Sequence, residues 1–381
     1  MRITHVINGL DDGGAEAVLY RLCQADREHE HAVISLQDDG KYGALLRGLG
    51  VSVDAIGLRR GRVTPHGMRH LTRLLRRLRP EVVQTWMYHA NLIGGIAARL
   101  AGRQRVVWGM HNTSLSVAST AWTTRAAARL GGPASRVLAE GIIYCAQRSR
   151  EIHEGLAYAP GKGVVIPNGY DVSEFRPDAE RGRAWRQAAG VPTDRPVIGM
   201  VGRFDPQKDH RNLVEAVAFA ARSGAPFDVA LVGHRIEPGN AELRGWITEQ
   251  GLDDRFHLLG RSSDIPAVMN GLDVHVLSSR FGEAFPNVVC ESMACGTPNV
   301  VTDVGDAGLI VDDTGWVVPP GDPAALAHAL CLALREQQST REHWERRRAL
   351  ARERIVQHFS IERMVDSYAS VWRSVARGGS V

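Results

Sequence analysis

The sequence predicts an α/β protein of two domains, each built around a mostly parallel sheet, and three observations carry that prediction. The chain has 381 residues, and a single core stops growing at roughly 250–300 residues. Short apolar runs alternate with amphipathic stretches from end to end, which is the rhythm of βαβ units. That rhythm pauses across 168–195, a segment rich in charge, proline and glycine, and restarts after Pro196.

Element by element, the first half reads as strands over 2–7, 32–36, 53–56, 82–85, 106–109, 142–145 and 164–166, with helical stretches between most of them. The second half reads as strands over 197–201, 229–232, 257–259, 274–277 and 300–302. Its helices fall at 211–222, 241–250, 265–270 and 287–295. An amphipathic helix over 361–377 closes the chain. The expected division is therefore 1–175 and 176–360, with helix 361–377 packing back onto the first domain.

Composition narrows the function. Apolar residues make up 44% and charged residues 23%, ordinary for a globular protein, so disorder and fibre are excluded. No run approaches the ~18 apolar residues of a spanning helix, and the start lacks the apolar core and cleavage site of a signal peptide. Cys23, Cys145, Cys290, Cys295 and Cys331 are scattered and odd in number, with no C-x-x-C. A disulfide framework or zinc site is not expected, and a cytoplasmic location fits. The net charge of +4 suits anionic ligands or an anionic membrane surface but is too weak to argue for nucleic acid.

Open parallel sheets bind ligands beyond the carboxyl ends of their strands. Two such edges facing each other would make an interdomain cleft the site, so polar residues just after strands are the candidates. After the strand 197–201 comes Gly202-Arg203-Phe204-Asp205-Pro206-Gln207-Lys208-Asp209. A tight turn with two cations before a helix N-terminus suits a diphosphate, although a solvated basic loop would look the same. After the strand 274–277 comes a loop and helix in which Glu283 and Glu291 are separated by seven residues. Asn287 and Glu291 share a helix face. The loop amides and helix N-terminus can hold phosphate oxygens, a loop carboxylate can bind sugar hydroxyls, and a carboxylate one turn in can take both ribose hydroxyls. An exposed loop acid and a helix-surface acid are the bland alternatives. The run Ser292-Met293-Ala294-Cys295-Gly296-Thr297-Pro298, which caps and stops that helix, sharpens the motif.

These residues carry a resemblance. Val165-Ile166-Pro167-Asn168-Gly169-Tyr170-Asp171, Gly202-Arg203 with Lys208, and Glu283 to Glu291 stand in the order and spacing of glycosyltransferase family 4, over nearly the whole length. The resemblance implies a GT-B fold of two Rossmann-like domains with an interdomain cleft, the first acceptor-side and the second donor-binding. It implies retaining transfer of a sugar from a UDP- or GDP-linked donor to a hydroxyl of a glycan or lipid-linked acceptor, in bacterial cell-surface polysaccharide or lipid-linked glycan synthesis. Arg203 and Lys208 would neutralise the leaving diphosphate, and Glu283 would bind the sugar ring. Phe285, Pro286 and Asn287 would offer backbone contacts, and Glu291 would hold the ribose. Ala284 stands where the family usually has glycine, and Leu309 where it often has glutamate.

In the first half, Asn8-Gly9-Leu10-Asp11-Asp12-Gly13-Gly14-Ala15-Glu16 leaves the first strand and opens a helix. Gly13 and Gly14 let a backbone approach a ligand, though a bare Gly-Gly turn is also a common tight connection; it resembles the family's Gly-Gly loop beside donor and acceptor. His111, at a strand's carboxyl end, reads as structural or as a contact to the donor sugar. His89 is a weaker candidate, and Trp86 and Tyr88 read as core or as an acceptor platform. No D-x-D occurs, so no metal and no cofactor are expected, and the nucleotide sugar is a substrate. Met68, Leu71, Leu74, Leu75 and Leu78 form an apolar stripe. Arg69, Arg73, Arg76 and Arg77 take the other face, with Arg59, Arg60 and Arg62 upstream. This is a solvated basic face or a peripheral dock on the inner membrane surface. Two other function classes remain open: another GT-B enzyme such as a sugar-nucleotide epimerase or a phosphorylase, and a non-catalytic sugar-nucleotide-binding protein.

Overall fold

The computed structural model describes residues 1–11, 13–59, 62–103, 105–113, 121–222, 224–339 and 341–379. Asp12 and Arg60 lie outside the described residues. Two compact units divide the chain, Met1–Gly169 with Ile361–Val381, and Tyr170–Ser360.

The first unit holds a seven-stranded parallel sheet. Its strands are β1 (Arg2–Ile7), β2 (Glu30–Ser35), β3 (Ser52–Ala55), β4 (Val82–Trp86), β5 (Val106–Met110), β6 (Gly141–Tyr144) and β7 (Gly163–Val165), in the order β3-β2-β1-β4-β5-β6-β7. β4 and β5 are buried along their whole length, as strands covered on both faces must be. The strand order reverses between β1 and β4. That switch point opens a crevice at the carboxyl ends of the two strands.

The last helix, Ile361–Ala376, belongs to this unit because of its stripe. Ile361, Met364, Tyr368, Trp372 and Val375 are spaced for one helical face and join a core with Ile3, Ile7, Leu19 and Val33.

The second unit holds a six-stranded sheet with the same reversal. Its strands are β8 (Val197–Val201), β9 (Asp228–Val232), β10 (Phe256–Leu258), β11 (Val274–Leu277), β12 (Asn299–Thr302) and β13 (Trp316–Val318), in the order β10-β9-β8-β11-β12-β13. Helices His210–Ala221 and Pro323–Ser339 cover one face, packing Leu213, Val217, Leu326 and Leu330 into the core. The switch point lies between β8 and β11.

Two features differ from the sequence reading. The boundary falls between Gly169 and Tyr170 rather than after 175. The Tyr170 amide donates to the Phe359 carbonyl at 3.0 Å and Tyr170 bridges to Ser360, which ties 170–175 into the second unit. Strand β13 and the helices Pro323–Ser339 and Arg341–His358 were not expected. β13 is three residues long, with only Val318 buried. Helix Arg341–His358 buries only Trp344, Ala351 and Ile355, too sparse a set to make an apolar stripe.

Candidate functional site

At the β8 edge of the second unit, local sequence shapes the turn. Gly202 and Phe204 extend the ladder to Val232 and His234, at 2.9 and 2.8 Å. Gly233 sits opposite with φ +155, and a Cβ there would collide with the Gly202 carbonyl. Asp205 then caps the short turn Pro206–Lys208 by accepting the Gln207 amide at 2.9 Å, and it accepts Arg203 Nε at 3.2 Å. Burial pushes the Asp205 carboxyl up, but the Gln207 amide and the Arg203 guanidinium outweigh it and hold it below the usual range. Asp209 is left-handed, at φ +47, and its carboxylate caps helix His210–Ala221 at the Asn212 amide.

The β11 loop is fastened to that turn. Ser278 Oγ donates to the Lys208 carbonyl at 2.8 Å, and the Arg280 amide donates to the Gln207 carbonyl at 2.8 Å. Thr302 Oγ1 donates to the Ser279 carbonyl at 2.6 Å. Gly305, at φ +59, lets its strand-end loop pass against the carbonyls of Glu283 and Ala284, where a Cβ would not fit. The result brings two motifs 75 residues apart into contact. Lys208 Nζ donates to Glu283 Oε1 at 2.7 Å, and Ser279 Oγ donates to the same oxygen at 2.8 Å. The Lys208 and Glu283 side chains are 12% and 10% exposed, whereas Arg203 is 57% exposed.

Helix Asn287–Ala294 follows. The Phe285 ring is buried against Phe359, with centroids 5.4 Å apart, which leaves its backbone as the part available to a ligand. Pro286 is the N-cap, and Asn287 Oδ1 accepts the Tyr170 hydroxyl. Glu291 is half-buried one turn in. Leu309 is half-exposed on the short helix Ala307–Val311. Arg203, Lys208, Glu283, Asn287 and Glu291 thus flank the β8/β11 switch point. Ser279, Tyr170 and Gly305 were not foreseen, because their parts depend on partners distant in sequence.

The first unit has its own cavity, about 830 Å³, at the carboxyl ends of β1, β4 and β5. Asn8, Gly14, Glu16, Tyr88, His89 and His111 line it. Gly14 has open space where a Cβ would be, while Gly13 is the extended N-cap of helix Gly14–Ala25 and lies against the Glu16 carboxylate. Asn8 Oδ1 accepts the Ala90 amide at 3.0 Å, joining the β1 loop to helix Tyr88–Leu100. Met87 holds φ +72 at the same turn, a strained conformation of the kind that collects at functional sites.

Two histidines at this end of the sheet are neutral, held so by burial. His153 Nδ1 donates to the Ser149 carbonyl at 2.6 Å, so its Nε2 accepts the Tyr88 hydroxyl at 2.9 Å. His111 stacks on Trp86, with centroids 5.0 Å apart and planes 24° apart. Burial pushes His111 down to about 4, and neither shielded ring nitrogen has a hydrogen-bond partner among the described residues. Such a ring carries one donor and one acceptor.

The chain is similar to known proteins over most of its length. Residues 12–174 match the model of Glycosyltransferase Family 4, and residues 182–350 match that of Glycosyl transferases group 1. The Escherichia coli UDP-Gal:alpha-D-GlcNAc-diphosphoundecaprenol alpha-1,3-galactosyltransferase is 28% identical over 268 residues, covering 68% of each chain. The 2-deoxystreptamine glucosyltransferase of Streptomyces kanamyceticus is 31% identical over 65% of each. The solved structure of Anabaena HepE in complex with UDP superposes with a TM-score of 0.84 at 24% identity, covering 98% of this chain and 100% of that one. The same protein has been solved with UDP-glucose.

Proposed function

The chain belongs to the family 4 glycosyltransferases, and on that premise we propose that it transfers a sugar with retention of configuration, its second unit holding the donor diphosphate at the β8/β11 edge. It has the GT-B fold of two Rossmann-like units, and it is a glycosyltransferase that uses a nucleotide sugar. The relatives give no support to an epimerase or a non-catalytic sensor. The observation that carries the donor reading is the contact of Lys208 with Glu283, fastened by Ser279 and flanked by Arg203.

In this reading Arg203 and Lys208 face the charge that grows on the departing diphosphate. Stabilising charge as it develops is the largest single lever such a site has. Glu283, paired to Lys208, accepts from the sugar's hydroxyls. Phe285, Pro286 and Asn287 offer backbone groups, and Glu291 accepts from the ribose. Gly13 and Gly14 let the β1 loop approach a ligand, and His111 offers its neutral ring to a hydroxyl of the bound sugar. The bond from the anomeric carbon to the diphosphate breaks as the bond to the acceptor oxygen forms on the same face. The acceptor's proton passes to the leaving phosphate, so no enzyme base is required.

Three finer points belong to the same proposal. A uridine donor is favoured over a guanosine one by the HepE complexes with UDP and UDP-glucose, and a lipid-linked acceptor by the diphosphoundecaprenol named for the E. coli relative. Metal is dispensable, because two cations stand where a D-x-D enzyme would place a metal-bridged diphosphate. The helix Pro65–Leu78 touches an anionic membrane surface at the inner face of the cell membrane through Arg69 and Arg73, which are exposed. Arg76 donates to the Leu100 carbonyl and Arg77 pairs with Asp54, so the other two arginines are partly engaged. Among the described residues no helix is long and apolar enough to cross a membrane.

The deciding experiment is a turnover panel of UDP- and GDP-sugars with EDTA present, reading nucleotide release and the product's anomeric configuration by NMR. Retained configuration and activity undiminished by EDTA are expected. An inverted product, or activity lost to EDTA and restored by Mg²⁺, overturns the reading.

A further inference from the structure

Behind the first unit's cavity lies a buried chain of hydrogen bonds whose direction can be worked out. Trp86 Nε1 lies 3.2 Å from His5 Nδ1. An indole nitrogen only donates, so His5 Nδ1 must accept. His5 is fully buried in β1, and burial and the neighbouring His31 hold its pKa well below the usual value. Its single proton is therefore on Nε2, which donates to His31 Nδ1 at 2.9 Å. His31 Nε2 then carries a proton toward Asp26 Oδ2, at 3.2 Å. Asp26 also accepts His29 Nδ1 at 2.8 Å and the amides of Glu28 and His29 at 2.9 and 3.3 Å. Burial pushes the Asp26 carboxyl up, but the donors from His31, Glu28 and His29 outweigh it and keep it ionised.

The direction of this chain also disposes of another reading. His5, Cys23 and His31 lie close enough to suggest a metal cage. A metal would need the bare Nε2 of His5, and the Trp86 N–H keeps a proton there. The burial that raises the Cys23 thiol also keeps it from the thiolate form a metal takes.

The chain ends on the ring that carries His111. Trp86 is buried and its indole stacks on both His111 and Tyr368 of the last helix. Trp372 of that helix stands edge-on to His5, His29 and His31, and its own indole nitrogen donates to Gln84 at 3.1 Å. We propose that Asp26, His31, His5 and Trp86 form a positioning relay that fixes the plane of the His111 ring for sugar transfer. An anionic anchor polarises two neutral imidazoles, which hold the indole in one rotation, and the indole sets the plane of the ring stacked on it. None of the four touches the substrate; they are positioning residues. The inference rests on the reading of His111 as a ligand to the bound sugar.

The test uses the full-length protein and two substitutions at one position. His5→Leu removes the acceptor of the indole N–H. His5→Asn keeps one, since its Oδ1 can stand near the place of Nδ1. The first readout is NMR of the histidine rings without substrate. Wild type should show His5 and His31 protonated on Nε2, and the ring-current shift that Trp86 imposes on His111 should change in His5→Leu and return in His5→Asn. The second is turnover of UDP-glucose, or of the panel sugar that the wild type turns over. His5→Leu should lower kcat about tenfold with donor KM little changed, since misplacing a reacting group by a fraction of an ångström acts on the chemical step, and His5→Asn should recover most of it. A folded His5→Leu protein with an unchanged His111 signal or wild-type kcat overturns the relay, as does His5 protonated on Nδ1. His111→Ala is measured alongside. If it turns over like wild type, the reading of His111 itself falls and takes the relay with it; if it is impaired while His5→Leu is not, only the relay falls.

Discussion

The two units share a topology and reverse their strand order at equivalent places, yet the edges they present differ in chemistry. At the β8/β11 edge the polar groups are charged and already paired, with Lys208 on Glu283 and Arg203 on Asp205. At the β1/β4 edge neutral rings, with His111 on Trp86 and Tyr88 on His153, stand among charged side chains such as Glu16 and Arg59. Charged groups held ready at one edge suit a leaving diphosphate, because their orientation is set before charge develops. Neutral rings suit hydroxyl groups, which need directional donors and acceptors rather than charge.

The largest effects should come from the charged edge, and they should separate its two cations. Arg203→Ala and Lys208→Ala are each expected to lower kcat by roughly 10–10³-fold. Only Lys208→Ala should also lower stability, by roughly 3 kcal/mol, because it strands a shielded Glu283 carboxylate. Arg203 is exposed, so its loss should leave the melting temperature nearly unchanged. Steady-state kinetics and thermal denaturation of both variants check this. Equal melting temperatures would mean that the Lys208–Glu283 contact is no stronger than a surface pair.

Acid should act on the neutral rings of both units. His111 and His153 in the first, and His210 and His275 in the second, are all pushed down to about 4 by burial. An unfolded histidine takes its proton near 6.5 and these take theirs near 4, so between those values the unfolded chain binds more protons. Stability is then complete above pH 6.5, falls by about 1.4 kcal/mol per pH unit for each ring, and levels off below about 4. Urea melts at pH 7, 6 and 5 measure the slope, and a flat profile would show that the rings are solvated.

The smallest effect is expected at helix Pro65–Leu78. Replacing Arg69 and Arg73 by Gln should weaken binding to anionic vesicles at low salt more than replacing Arg76 and Arg77, which already have protein partners. Co-sedimentation with such vesicles reads the difference, and no binding by the wild type would make this face merely solvated.

The same contrast explains what the sequence disclosed. Each half of the charged edge is built by neighbours in the chain. Asp205 and Asp209 cap the turn and helix beside them, and each cluster keeps its residue types at short, fixed spacing, so both motifs were readable. Most strands were too, because buried parallel strands are continuous apolar runs. The neutral edge is built across strands. His5 meets Trp86 from 81 positions away, and Trp372 meets Gln84 from 288 away. Neither pairing leaves a local pattern; the His29-x-His31 spacing beside Asp26 was the only trace. Helix Arg341–His358 went unseen for another reason, since it buries too little to show a period.

The central claim is that the β8/β11 edge binds the donor's diphosphate, and calorimetric titration of UDP and of uridine into the full-length protein tests it most directly. UDP, or GDP if the donor is guanosine-linked, should bind measurably tighter than its nucleoside. In a folded Arg203→Ala/Lys208→Ala protein that advantage should disappear. A double variant that binds the diphosphate as tightly as the wild type would contradict the site assignment and the mechanism built on it.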